Sequence, residues 1–212
     1  MILVCLDRDG TLIRDTGYLG KNKHWETEVE IFPEVPRALN LLQKQKSIFL
    51  TVISNQSGVA KNYFGMDVLE AQTKFLKNFL KNNKITIDSW HYCPYVGKDY
   101  LKKYDNLNPK YLTDNFRLLN KRKPGIGMIK SAVKDFNMKL SDFKQVYFIG
   151  DKETDVQAGL NATGKGILIK RPENFNEVNK IQQRLKKGDK NIFLAENLLE
   201  ASNIILKGNN LN

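Results

Sequence analysis

Apolar positions along this chain follow two alternating rhythms. Apolar runs stand at 2–6, 48–53 (with Thr51 as its one polar residue), 146–149 and 167–169, each about the length of a strand buried on both faces. Between them, apolar residues recur at helical spacing over 34–45 (Val35, Leu39, Leu42), 67–82 (Leu69, Phe75, Leu76, Phe79), 126–137 and about 155–163. Residues 85–92 alternate like another strand, and Gly164-Lys165-Gly166 reads as a turn before the strand at 167–169. Helical stretches are expected near 174–187 and 196–206, flanking a short Ile192-Phe193-Leu194. Strand and helix in alternation predict an α/β fold, a parallel sheet with helices on both faces.

Two stretches keep no period. Residues 12–33 make a link longer than most connections, with Gly17, Gly20 and Pro33. It is either a substrate-facing loop or a surface excursion in which Trp25 and Ile31 pack back on the core. Residues 93–121 mix Tyr95, Tyr100, Tyr104 and Tyr111 with lysines and read as an insertion loop near the site. Such a mixture can stack and hold a nucleic-acid strand, but a packed surface loop is the default expectation.

At 212 residues and 41% hydrophobic content, one α/β core with room for a tail is expected. No apolar run approaches a membrane span, and the chain enters its first strand without a signal-peptide pattern. A cytoplasmic protein without a membrane partner is therefore expected, with Cys5 and Cys93 as buried free thiols. The formal charge of +11 suits polyanionic substrates, nucleic acid or a membrane surface. The lysines are scattered singly and build no recognisable nucleic-acid module, which favours a small phosphorylated substrate over nucleic acid.

Chemistry gathers where the apolar runs stop. The first run is followed by Asp7-Arg8-Asp9-Gly10-Thr11, two acids two residues apart. Carboxylates aimed at one volume repel unless a cation or shared proton separates them. A Mg²⁺ site with one acid as nucleophile and the other as proton carrier follows, against the plainer alternative of an acidic turn. The second run ends in Ser54-Asn55-Gln56-Ser57-Gly58, whose hydroxyls, amides and N–H groups make a phosphate cradle or an ordinary strand-to-helix turn. Another strand ends in Gly150-Asp151-Lys152, and Arg122-Lys123-Pro124 precedes a helix. A phosphate monoester needs its charge neutralised and its attacking oxygen held in line. Asp7 and Asp151 can supply charge for Mg²⁺, Lys123 and Ser54 can hold phosphate oxygens, and Asp9 can give and retake a proton.

In this order, Asp7-Arg8-Asp9-Gly10-Thr11, Gly17-Tyr18, Ser54-Asn55-Gln56-Ser57-Gly58, Arg122-Lys123-Pro124 and Gly150-Asp151-Lys152 resemble the haloacid dehalogenase (HAD) superfamily phosphatases. The branch they are most similar to holds the heptose bisphosphate and histidinol-phosphate phosphatases. The resemblance spans about residues 1–170. It implies a Rossmann-like core without a large cap, Asp7 as the phosphorylated nucleophile and Asp9 as general acid and base. It further implies Mg²⁺ on the Asp7 and Asp151 carboxylates and the Asp9 backbone carbonyl. Ser54 and Lys123 would bind the transferring phosphate, with Asn55, Gln56, Arg122 and Lys152 as outer contacts. The family often carries a structural zinc, bound by a Cys-x-His set after the third strand together with a Cys-x-Cys just before Arg-Lys-Pro. Here Tyr95, Leu119 and Lys121 stand where three of those ligands would be, so no zinc is expected.

The expected division is a phosphatase core over 1–172, with 93–121 as its insertion, and a C-terminal helical extension over 173–212 packed on the core. A monomeric Mg²⁺-dependent phosphatase of D-glycero-D-manno-heptose 1,7-bisphosphate is the leading expectation. Histidinol phosphate, 3′-phosphorylated nucleic-acid ends and a catalytically silent basic binding domain are the alternatives.

Overall fold

A computed structural model describes residues 1–211; the last residue of the expected extension, Asn212, lies outside them. Six parallel strands form one sheet: β1 (Ile2–Leu6), β2 (Ile48–Asn55), β3 (Ser89–Cys93), β4 (Gln145–Gly150), β5 (Lys165–Ile169) and β6 (Ile192–Ala195), in the spatial order β3-β2-β1-β4-β5-β6. The helices are α1 (Val35–Gln43), α2 (Ser57–Ala60), α3 (Met66–Asn82), α4 (Phe116–Leu119), α5 (Gly127–Asp135), α6 (Glu153–Asn161), α7 (Phe175–Lys186) and α8 (Leu198–Gly208).

The unbroken apolar run of β1 follows from its central place, with every residue buried. Alternate side chains serve opposite faces. Ile2, Val4 and Leu6 share a core with α1 and α8 through Leu39, Leu42, Ala201 and Ile205, whereas Leu3 and Cys5 pack with Met128, Ile129 and Val133 of α5. From β1 the chain builds outward through β2 and β3, then crosses back to β4 on the other side of β1. In such open sheets ligands bind outside the carboxyl ends of the strands at this reversal. The register sets those ends side by side: Leu6 pairs with Val52 and with Ile149.

Three of the departures from the expected elements bear on how the sheet is built. The strand expected over 85–92 begins only at Ser89. Asp88 accepts the Leu50 N–H on its carboxylate at 2.7 Å and donates its own N–H to the Leu50 carbonyl at 2.9 Å, so a side chain substitutes for the first rung. Gly164-Lys165-Gly166, expected as a turn, already belongs partly to β5. A Cβ on Gly166 would lie 2.6 Å from the Val156 Cα, so the bare backbone lets α6 lie close on the strand. The segment after residue 172 supplies α7 and α8 and also β6, paired with β5 from Gly166↔Ile192 to Ile169↔Ala195. Among the described residues no helix is long and apolar enough to cross a membrane.

Candidate active site

The polar tips of β1, β2 and β4 converge with the Arg122-Lys123 entrance to α5. Asp7 continues β1 by one rung, its N–H donating to the Ile149 carbonyl at 2.9 Å. Its Oδ1 accepts the Arg8 backbone N–H at 2.7 Å and lies 2.8 Å from the Lys123 ammonium. Lys123 also lies 2.6 Å from Asp155 Oδ1, so one buried cation is shared by two buried carboxylates. Asn55, at the tip of β2, fixes the Lys123 backbone from both sides. Its amide accepts the Lys123 N–H at 2.9 Å and donates to the Lys123 carbonyl at 3.2 Å.

Asp151 completes the acidic group. Oxygens of Asp7, Asp151 and Asp155 all lie within 4.8 Å of one another, and all three residues are buried. Gly10 makes the approach possible: it holds a φ of +77°, and a Cβ there would fall 2.3 Å from the Asp151 carboxyl carbon. Burial, with the charge of Asp155 next, pushes Asp151 up to about 8. Burial also raises Asp7 to about 6, against the lowering pull of Lys123. Asp151 Oδ1 is buried without a hydrogen-bond partner. Three carboxylates with one such free oxygen are a hard, oxygen-only donor set that suits a divalent cation, whose charge would relieve the repulsion.

Asp9 is held differently. Its carboxylate takes the Arg8 guanidinium on both oxygens at 2.9–3.1 Å, the Gln56 amide at 2.7 Å and the Ser54 hydroxyl at 3.4 Å. Burial disfavours its charge, yet Arg8 and these hydrogen bonds more than offset it, and the carboxyl stays below its usual range. Arg8 is 1% exposed and is itself gripped by Gln72 at 2.7 Å and Gln56 at 3.2 Å.

A cleft of about 650 Å³ opens on Asp9 and Lys123. Its outer wall carries Tyr18, Lys61, Tyr100, Tyr104, Arg122 and Lys152. The Lys61 ammonium donates to the Tyr18 hydroxyl and sits 3.9 Å from the Tyr104 ring centroid. Arg122 donates through Nη2 to the Tyr100 hydroxyl at 3.0 Å, while its buried Nη1 has no partner. Lys152 pairs with Asp15 at 2.9 Å. The link 12–33 divides its labour. Asp15, Gly17, Tyr18 and Leu19 face the cleft, while Trp25 packs inward with Ile13, Leu19 and Leu76. The insertion loop closes on itself through Val96 N–H to the Tyr111 carbonyl and Thr113 N–H to the Val96 carbonyl, both at 3.0 Å. The Tyr95 and Tyr111 rings meet there at 5.9 Å.

All nine residues singled out from the sequence (Asp7, Asp9, Ser54, Asn55, Gln56, Arg122, Lys123, Asp151 and Lys152) stand at this site. Three participants escaped sequence reasoning. Asp155 lies four residues after Asp151, in the first turn of α6, and that spacing was its signal. Arg8, between two acids, reads as a solvated charge until Gln72 is brought to it from 64 residues away. Lys61 carries no local signal beyond its place just after a Gly-Val-Ala turn.

Known proteins resemble this chain in sequence and in fold. Residues 3–194 match the family model described as polynucleotide kinase 3 phosphatase. The chain is 32% identical over 172 residues to the D-glycero-beta-D-manno-heptose-1,7-bisphosphate 7-phosphatase of Haemophilus ducreyi, covering 79% of this chain and 82% of the relative. To the enzyme of the same name from Pasteurella multocida it is 30% identical over 185 residues, covering 84% and 87%. Among solved structures it resembles the D,D-heptose 1,7-bisphosphate phosphatase of B. bronchiseptica complexed with magnesium and phosphate. The TM-score is 0.69 at 22% identity, over 98% of this chain and 99% of that one.

Proposed function

Since this chain belongs to the polynucleotide kinase 3 phosphatase family of HAD phosphatases and is a phosphoric monoester hydrolase, we propose that it removes the 7-phosphate from D-glycero-D-manno-heptose 1,7-bisphosphate. The observation that carries the choice of a bisphosphate is the outer wall of the cleft. Arg122 and Lys61 face the same cavity as Lys123, and among the described residues neither has a carboxylate in ion-pair contact. One phosphate belongs beside Asp7; a second, carried on a short sugar, suits the unpartnered Arg122 Nη1. The volume is that of a small-molecule pocket, with Tyr100 and Tyr104 in its lining.

Asp7 attacks phosphorus in line with the leaving oxygen, forming an Asp7–phosphorus bond as the sugar–oxygen bond to phosphorus breaks. Lys123, fixed by Asn55, neutralises the phosphate oxygens with the Ser54 hydroxyl beside it. Asp9 gives the sugar oxygen its proton, then takes one from the water that releases inorganic phosphate and restores Asp7. Arg8 keeps Asp9 ionised in the resting site, and the negative charge of an arriving phosphate next to Asp9 raises its proton affinity. Mg²⁺ would be held by the Asp7 and Asp151 carboxylates and the Asp9 backbone carbonyl, with Asp155 alongside. When bound it neutralises the charge on the transferring phosphoryl group. The loop 93–121 is held by its Val96–Tyr111 bonds and ring contacts in place of zinc. The enzyme works as a cytoplasmic monomer of carbohydrate metabolism, where the buried thiols Cys5 and Cys93 stay reduced.

A phosphate-release panel with and without Mg²⁺ tests this, using the heptose bisphosphate, a heptose monophosphate, histidinol phosphate and a 3′-phosphorylated oligonucleotide. The heptose bisphosphate should show the highest kcat/KM, and Asp7→Asn should lower its kcat by at least about 10³-fold while circular dichroism is unchanged. A faster oligonucleotide reaction, with steep salt dependence, would replace the sugar by a nucleic-acid end.

A further inference from the structure

The segment between β5 and α7 reaches back to the backbone of both acid-bearing loops. Arg171 donates through Nε to the Gly10 carbonyl at 2.8 Å and through Nη2 to the Thr11 carbonyl at 3.5 Å. Its guanidinium lies 3.6 Å over the Phe32 ring and 3.5 Å from Glu34, which fix its plane. Three residues on, the buried Asn174 spends both amide hydrogens on carbonyls, Asp151 at 2.7 Å and Ile169 at 2.8 Å. Its oxygen accepts the Arg171 N–H at 2.8 Å, so the two grips are tied to each other. Glu177, in the first turn of α7, accepts the Glu153 N–H at 2.8 Å and holds the start of α6, which carries Asp155.

We infer that Arg171 and Asn174 are positioning residues for the divalent-cation site: they fix the Gly10 and Asp151 peptides and so set the spacing of the carboxylates and carbonyl that bind the ion. The reason is geometric. Gly10 and the Asp151 carboxyl touch across the site, so a small rotation of either peptide changes the donor spacing directly. Mg²⁺ tolerates little departure from octahedral geometry, and losing a hydrogen-bond partner that orients a ligand typically costs about 10–100-fold in metal affinity. A clamp built from side chains onto carbonyls, outside the sequence that carries the catalytic residues, places control of metal affinity in residues 171–177. The inference rests on the metal role given above to Asp7 and Asp151.

The test uses the full chain and Mn²⁺ alone, followed by electron paramagnetic resonance without substrate. Wild type should bind one ion tightly, and Asp151→Asn should abolish that binding. Arg171→Ala should weaken it about tenfold, and Arg171→Lys, which can still donate to the Gly10 carbonyl, should recover part of the loss. In turnover assays, the Mg²⁺ concentration for half-activation should rise more than saturated kcat falls. Asn174→Ala should act in the same direction; if it does not fold, the Arg171 pair decides alone. Unchanged Mn²⁺ affinity in a folded Arg171→Ala, with only a lower Tm, would make the clamp purely structural. No Mn²⁺ binding by wild type would overturn the metal site and the clamp together, whereas a wrong sugar assignment would leave every binding result intact.

Discussion

The inner and outer walls of the cleft are built on opposite principles. Inside, Asp7 and Asp151 follow strand tips whose register is fixed by a six-stranded sheet, and Lys123 and Asp155 come from the entrances of α5 and α6; all four are buried, with Lys123 at ion-pair distance from Asp7 and Asp155. Outside, the cations stand on loops: Lys61 is buried against tyrosine rings, Arg122 donates to the Tyr100 hydroxyl, and the more exposed Lys152 pairs with Asp15. Buried charges of opposite sign at such distances interact strongly and tolerate no misplacement, while Lys61 and Arg122 meet only rings and hydroxyls and the exposed Lys152–Asp15 pair is screened. The inner wall is suited to the bond-making step that every substrate shares, the outer wall to telling substrates apart.

Lys123→Met attacks the inner wall where it is most concentrated. Asp7 and Asp155 lose their common cation, and breaking a buried ion pair by removing one partner costs about 3 kcal/mol or more. Thermal unfolding should show that loss at neutral pH, smaller at pH 5, where protonation of Asp7, raised to about 6 by burial, relieves the stranded charge. Turnover of any accepted monoester should fall about 10²–10³-fold in kcat, as for removal of one preorganised charge. A variant impaired only in KM would mean that Lys123 binds without serving the transition state, and the division between walls would fail.

Arg122→Ala should do the reverse. Losing a charge-assisted hydrogen bond of about 1.5–3 kcal/mol should raise KM for a sugar bisphosphate roughly 10–100-fold. KM for the matching monophosphate should change little, because that substrate has no second phosphate to lose. Equal damage to both substrates would move Arg122 to the inner wall.

The same contrast decides what the sequence disclosed. The inner wall was legible because β1, β2 and β4 are largely apolar runs, and polar residues stand at or just after their ends in Asp7, Ser54 and Asp151. Asp155 was harder: α6 starts at Glu153, two residues before the expected helix, and so Asp155 stands in its first turn, buried beside the site. Arg8 depends on Gln56 and Gln72, contacts that no local spacing encodes. Likewise β3 is shortened by Asp88 and β5 lengthened through Gly166, because a side-chain hydrogen bond and a helix approach override the apolar period. The outer wall could be read only as composition, tyrosines with lysines, since its geometry comes from ring contacts across loops. The Arg171–Asn174 clamp had no period at all: side chains bonding distant carbonyls leave no trace in hydrophobic patterning.

The smallest expected effect separates the walls by pH. Without a divalent cation, burial and then Asp155 raise Asp151 to about 8 in the folded protein, against an ordinary 3.8. The folded state therefore keeps a proton that the unfolded chain has released. The resulting stabilisation is complete below about pH 4 and is lost as pH rises through 8. Mg²⁺ needs the deprotonated carboxylate, so its affinity should climb between pH 6 and 8, by at most about tenfold per unit. The Mg²⁺-induced rise in Tm should accordingly be larger at pH 8 than at pH 6, and Asp151→Asn should abolish it at both. Lys152, on the outer wall, is held protonated beside Asp151 and Asp15 although burial opposes its charge. Its pair with Asp15 stays intact across this window, so outer-wall binding should not follow the same curve. A KM for substrate that tracks the Mg²⁺ curve at saturating metal would show the two walls titrating as one.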